Sequence, residues 1–208
     1  MPQRSERITR RRTAIEAWHN AAKSIGPLEP GLSLFEVTRG QFSMIDIINY
    51  LLSQMGKCGV SVWTWVVADY EVEVMTALME NGRLSEGILV IDYSAGKRNP
   101  TIIEGWRSRF GPESVLVCKN HAKIVRVWND QYRFCVRGSM NLNFNPRFEQ
   151  FDLSEGDAAY DLVVQLESEL DVLPKLHSSE EASANSKVNL AFEQKTLEIF
   201  DQVKTWQI

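Results

Sequence analysis

The 208-residue chain reads as an α/β protein, a mixed β-sheet flanked by helices with an amphipathic helix appended at the C-terminus. Three observations carry that expectation. Short runs rich in β-branched and aromatic residues alternate with segments of helical period, the pattern of a layered α/β domain. One run, "GILVIDY" at 87–93, is apolar throughout, as in a strand covered on both faces. A pair of alternating segments, 122–128 and 132–138, meets at Asn129-Asp130 as a hairpin.

The elements follow in order. Residues 5–24 have helical spacing, basic at first and Ala-rich later, and "IGPLEPG" then breaks the chain. "LFEV" at 34–37 is a short strand. Ser43 can cap a helix over 44–55, with Ile45, Ile48 and Leu52 on one face. "GVSVWTWVV" at 59–67 is a strand, and residues 69–82 form a helix stopped by Asn81-Gly82. After the 87–93 strand, Pro100 opens a helix running to about Phe110, and "SVLVC" at 114–118 is a further strand. Beyond the hairpin, 157–172 is helical. The polar stretch "HSSEEASANSK" at 177–187 is a linker. Phe192, Ile199, Val203 and Trp206 then recur at helical spacing, on a helix that either packs back on the domain or docks elsewhere. The expected division is a basic N-terminal helix over 1–26, an α/β domain over 27–176, and a linker with C-terminal helix over 177–208.

Composition narrows the function. No apolar stretch approaches the roughly 18 residues of a membrane span, and the N-terminus has charge without an apolar segment behind it, so a cytoplasmic protein is expected. Cys58, Cys118 and Cys135 sit in strand-like apolar contexts without metal-ligand spacing; buried free thiols and no metal site are expected. The net charge of −4 hides a polarity. Lys97 to Arg147 holds ten Lys or Arg against three acids, and Glu149 to Glu181 holds ten acids against Lys175. The basic block implies an anionic ligand there.

That block contains "NHAKIVRVWNDQYRFCVRGSMNLN", residues 120–143. Strand alternation puts His121 and Lys123 on one side and Ser139 and Asn141 on one side, and pairing of the two strands brings all four to one end of the hairpin. Imidazole, ammonium, hydroxyl and carboxamide suit a phosphate. Lysine offsets charge, Ser and Asn donate hydrogen bonds, and histidine can attack phosphorus or move a proton.

"HAK…GSMNLN…E" resembles the signature of the phospholipase D superfamily, His-x-Lys followed by Gly-Ser-x-Asn and a downstream acid, over roughly residues 114–152. The resemblance implies a phospholipase D-like layered fold and a phosphodiesterase that needs no metal or other cofactor. It implies His121 as a nucleophile forming a phosphohistidine. Lys123, Ser139 and Asn141 would hold phosphate oxygens, and Glu149 or Asp152 would orient the histidine through its second ring nitrogen. In the family an Asp follows the Lys by five residues; that position here is Trp128, with Asp130 two residues on. Family enzymes use two such motifs, and this chain has one, as do small bacterial nucleases of the superfamily that dimerise. A homodimer is therefore implied.

Arg107, Arg109, Arg126, Arg137 and Arg147 surround the motif in sequence, and with Tyr132 and Phe144 they suit a groove that tracks a nucleic-acid backbone, DNA foremost, rather than a lipid. The reading is a homodimeric, metal-independent nuclease-like phosphodiesterase. The alternative is a domain that keeps the fold without turnover and binds nucleic acid or a protein partner, the latter through the C-terminal helix, as an adaptor of a phage or mobile element.

Overall fold

The computed structural model describes residues 21–143 and 147–171. In chain order the elements are α1 (Ala21–Ile25), β1 (Ser33–Thr38), α2 (Met44–Met55), β2 (Cys58–Thr64), α3 (Asp69–Glu80), β3 (Leu84–Asp92), α4 (Tyr93–Arg98), α5 (Pro100–Phe110), a 3-10 turn (Pro112–Ser114), β4 (Val115–Cys118), β5 (Ile124–Trp128), β6 (Arg133–Gly138), β7 (Glu149–Glu155) and α6 (Ala158–Asp171). The strands form one mixed sheet in the order β1-β7-β6-β5-β2-β3-β4. β2, β3 and β4 run parallel, and β5, β6, β7 and β1 follow antiparallel.

Strand alternation sorts the side chains. Val60, Val62, Leu89, Ile91, Val125, Val127, Phe134, Val136, Phe151 and Leu153 fill one face, packed beneath α2, α3 and α5. Burial of each such side chain stabilises the fold by about 1.5–3 kcal/mol. Ala21 and Ile25 of α1 belong to the same core, so the domain includes residues before the expected boundary at 26. The other face carries Trp63, Val90, Leu116, Cys118 and Cys135, covered by Tyr160 and Val163 of α6. The three thiols are buried and free. Burial pushes Cys58 up to about 11 and Cys118 and Cys135 up to about 12, so none is a thiolate at neutral pH.

The expected hairpin is present, with Ile124 opposite Arg137 and Trp128 opposite Arg133. Asn129 makes its turn: its side-chain oxygen accepts from the N–H groups of Gln131 and Tyr132 at 2.9 Å each. Two elements differ from expectation. β7 lies in the acidic segment after 149, where Phe151 and Leu153 alternate with Gln150 and Asp152, and it links β1 to β6. α4 (Tyr93–Arg98) starts directly after Asp92, whose carboxylate caps it by accepting from Ser94 N at 2.8 Å. The expected helices over 5–24, up to residue 20, and over the C-terminal segment, with the linker at 177–187, lie outside the described residues. No helix among the described residues is long and apolar enough to cross a membrane.

Candidate functional site

The register brings one set of strand ends to a common edge. β2, β3 and β4 finish there, β5 and β7 start there, and β6 and β1 finish there. Ligands of α/β sheets bind at the carboxyl ends of parallel strands, where connecting loops carry side chains without the constraint of sheet packing.

Asn120 builds the loop that holds the histidine. Buried after β4, its amide donates to Thr64 O at 3.1 Å and Val90 O at 3.2 Å, fastening the ends of β2 and β3. Its oxygen accepts from Ala122 N at 2.8 Å, and its own N–H donates to Asp92 at 3.0 Å. Burial pushes the Asp92 carboxyl up, but hydrogen bonds from Ser94, Asn120 and Ala95 outweigh it and hold the group below its ordinary value. His121 is exposed on the resulting turn.

Residues 121–123 precede the strand, so alternation is not what pairs His121 with Lys123. The lysine instead folds back: Nζ donates to His121 O at 2.6 Å and lies 3.1 Å from His121 Nδ1. Lys123 is only 8% exposed. Its backbone carbonyl accepts from Gly138 N at 3.0 Å, which extends the hairpin by one step toward the site. Burial pulls the ammonium below its ordinary value, opposed by the attraction of Glu149.

Ser139 emerges directly after β6, and Glu149 opens β7 beside it. The Ser139 hydroxyl donates to Glu149 and accepts from Gln150 N at 3.0 Å. Gly138 permits this approach, since any Cβ there would run into the backbone of Gln150 and Phe151. Asn141 turns its side-chain oxygen to Trp65 N at 3.2 Å, leaving its NH2 end to donate. The Trp65 ring closes the circuit, with its centroid 5.3 Å from that of His121. His121, Lys123, Glu149, Ser139 and Asn141 thus belong to one cluster.

The arginines divide differently. Arg126 projects to the opposite face of β5. There it is buried, paired with Glu167 of α6, bonded to Tyr160 OH at 2.9 Å and set over the Trp128 ring at 4.4 Å. It is withdrawn from any surface groove. Arg137 shares that face, within 3.6 Å of Asp157 and 3.3 Å of the Ser154 hydroxyl. Arg107 and Arg109 occupy the last turn of α5, at the end of the sheet where β4 begins, away from His121. Arg147 is exposed two residues before Glu149. Sequence reasoning missed the cations that do lie at this edge. Arg98 stacks over Trp65 at 5.7 Å, and Arg39, just after β1, stacks on the exposed Phe148 at 5.8 Å. Asn120, Trp65 and Thr64 were equally unmarked, because their roles depend on strand ends far apart in sequence.

The carboxylate expected on the second ring nitrogen of His121 is displaced. Glu149 is bonded to Ser139, and Lys123 occupies Nδ1. Asp152 projects from β7 on the side of Arg137. Trp128 ends β5 and shields Gly59, while Asp130 is exposed at the hairpin turn. That turn is about 20 Å from Lys123 at 3.3 Å per strand residue. Among the described residues, no group of three or more His, Cys, Asp or Glu is arranged to hold a metal ion.

What the fold and cluster define is an α/β protein with a compact polar site at the carboxyl ends of its parallel strands. The chain matches no family model and no curated protein.

Proposed function

We propose that the protein is a metal-independent phosphodiesterase acting on nucleic acid as a homodimer, through a phosphohistidine on His121. The observation that carries this reading is the buried Lys123 ammonium held against the exposed His121 ring, with Ser139 and Asn141 in the same cluster. Among the described residues no carboxylate is bonded to this buried cation, which leaves it poised to be matched by an anion from solution. A bound phosphate would draw Nζ from Nδ1 onto its oxygens. The imidazole could then carry its proton on Nδ1 and present the Nε2 lone pair to phosphorus. Nε2–P forms as P–O breaks, and the leaving alkoxide takes a proton from the histidine of the second copy. Water then attacks phosphorus and releases Nε2. Asn141 would donate to a phosphoryl oxygen as charge builds there.

A second reading is favoured by a separate observation. With Lys123 donating to Nδ1, the neutral ring carries its proton on Nε2, the wrong tautomer for a nucleophile. A site arrested in that state binds phosphate without cleaving it, as an adaptor would. Incubating labelled single- and double-stranded DNA and RNA in excess chelator, wild type beside His121→Ala, decides between them. Cleavage by the wild type alone supports the phosphodiesterase. Binding without cleavage by both proteins supports the adaptor, and cleavage that needs added magnesium refutes the mechanism.

A further inference from the structure

Beside the phosphate-sized cluster lies a second feature that a phosphate does not need. β2 ends at Thr64, whose hydroxyl donates to Val66 O at 2.6 Å and accepts from Leu142 N at 3.0 Å. Trp65 N is fixed by Asn141 at 3.2 Å. The backbone of Trp65 is therefore pinned from both sides, and its half-buried ring stands between His121 and Arg98. Its plane is tilted 48° to the imidazole, and the guanidinium sits 5.7 Å from its centroid. Trp65 also lines a cavity of about 310 Å³, together with Val67, Ile91, Ile102, Arg98 and Asn99.

We infer that Trp65, Arg98 and this cavity form a subsite for one nucleobase, that of the nucleotide flanking the phosphate bound at His121. The inference rests on the nucleic-acid reading above and gives it a side: the flanking nucleotide on the α4 edge is gripped through its base. Trp65 is common to the cavity and the His121 contact, so one substituent of a diester at His121 would have the indole and the cavity within its reach. The volume is at the lower end of small-molecule sites, which suits a single flat ring system and not an acyl chain. An indole face stacks on any base, and Arg98 and Asn99 bring donors to the acceptor edge that a base has and a hydrocarbon lacks. A phosphate alone would use neither the ring nor the apolar walls.

The test uses the full chain and labelled single-stranded DNA hexamers, one intact and six with a single abasic position each. The readout is kcat/KM where a hexamer is cleaved and Kd where it is only bound. For the wild type, one abasic position should cost roughly 5- to 150-fold, the range for one stacked base. Trp65→Ala should lose as much on the intact hexamer and then pay no further penalty for the abasic position. Trp65→Tyr should restore most of the loss, with melting temperatures confirming that both variants fold. Abasic penalties equal in wild type and Trp65→Ala would overturn the subsite while leaving the nucleic-acid reading standing. Failure of the wild type to engage any hexamer would overturn that reading and the subsite with it.

Discussion

Replacing Lys123 with methionine should separate binding from stability in opposite directions. The ammonium is only 8% exposed and makes two local hydrogen bonds, both to His121. Burial dominates its environment and Glu149 only partly compensates, so the folded site disfavours the charge relative to water. A buried ammonium with no carboxylate bonded to it among the described residues leaves its desolvation largely uncompensated, and exchange for an apolar group of similar shape relieves that cost. Lys123→Met is therefore expected to leave stability within about 1 kcal/mol or to raise it, a melting temperature no more than about 4 °C below wild type for a chain of this size. A phosphate loses its charge-assisted partner in the same step. At about 1.5–3 kcal/mol for such a bond, affinity for a short oligonucleotide should fall roughly 10- to 160-fold. The pH dependence has a definite sign. Between the lowered folded value and the ordinary lysine value, the unfolded chain binds more protons than the folded one, so wild-type stability rises with pH across that window. The methionine variant should lack that rise. Differential scanning fluorimetry from pH 7 upward, with fluorescence anisotropy at pH 7, measures both effects. A melting temperature at pH 7 more than about 6 °C below wild type, or unchanged oligonucleotide affinity, would refute the reasoning.

Three further substitutions test the division between site and scaffold. Arg126→Met removes one partner of a buried ion pair and should cost about 3–5 kcal/mol in denaturant unfolding, with oligonucleotide affinity of the folded fraction unchanged; adding Glu167→Leu should recover most of the loss. Gly138→Ala should push β6 from β7 and detach Ser139 from Glu149, lowering stability together with turnover or phosphate affinity; a folded variant of wild-type activity would show that the Ser139–Glu149 contact plays no part. Asn120→Ala breaks three hydrogen bonds, two of them buried, and should cost about 1–3 kcal/mol while loosening the His121 turn, read as a larger loss on oligonucleotide than in melting.

The hairpin and the polar cluster were legible in the sequence because both depend on neighbours. Val125, Val127, Phe134 and Val136 alternate plainly, Asn129-Asp130 marks the turn, and a hairpin fixes which ends meet. β7 carries the same alternation through Phe151 and Leu153, but Glu149, Asp152 and Glu155 fall within the run, and the acids outweighed the period. Missing it concealed why Glu149 reaches Ser139. The arginines failed for a different reason. Proximity in sequence says nothing of face, and a single step along β5 separates Val125 on one core from Arg126 in the other. Only the pairing with α6, 41 residues later, reveals that Arg126 anchors a helix.

That misplacement has a consequence for the charge pattern itself. The basic block and the acidic segment after it look like a ligand surface beside a solubilising one, yet much of their charge is spent on each other. Arg126 meets Glu167, Arg133 meets Asp161 at 3.2 Å, and Arg137 meets Asp157. β5 and β6 are thereby zipped by opposite charge to α6 and the turn that leads into it, with the most buried pair innermost, where desolvation makes each partner necessary to the other. The cations left for an anionic ligand stand at the other edge of the sheet's chemistry, Lys123 buried at the centre with Arg98 and Arg147 toward the rim. On the proposed reading, a backbone-tracking groove lined by five arginines gives way to a smaller site, in which one buried ammonium and one stacked indole would do the selecting. Such a site has few phosphate contacts, so its affinity for a nucleic acid should depend on salt with a shallow slope, near one to three released counterions and not the six to ten of a groove binder. A log–log slope steeper than about −5 would restore the groove and require arginines beyond those at this edge.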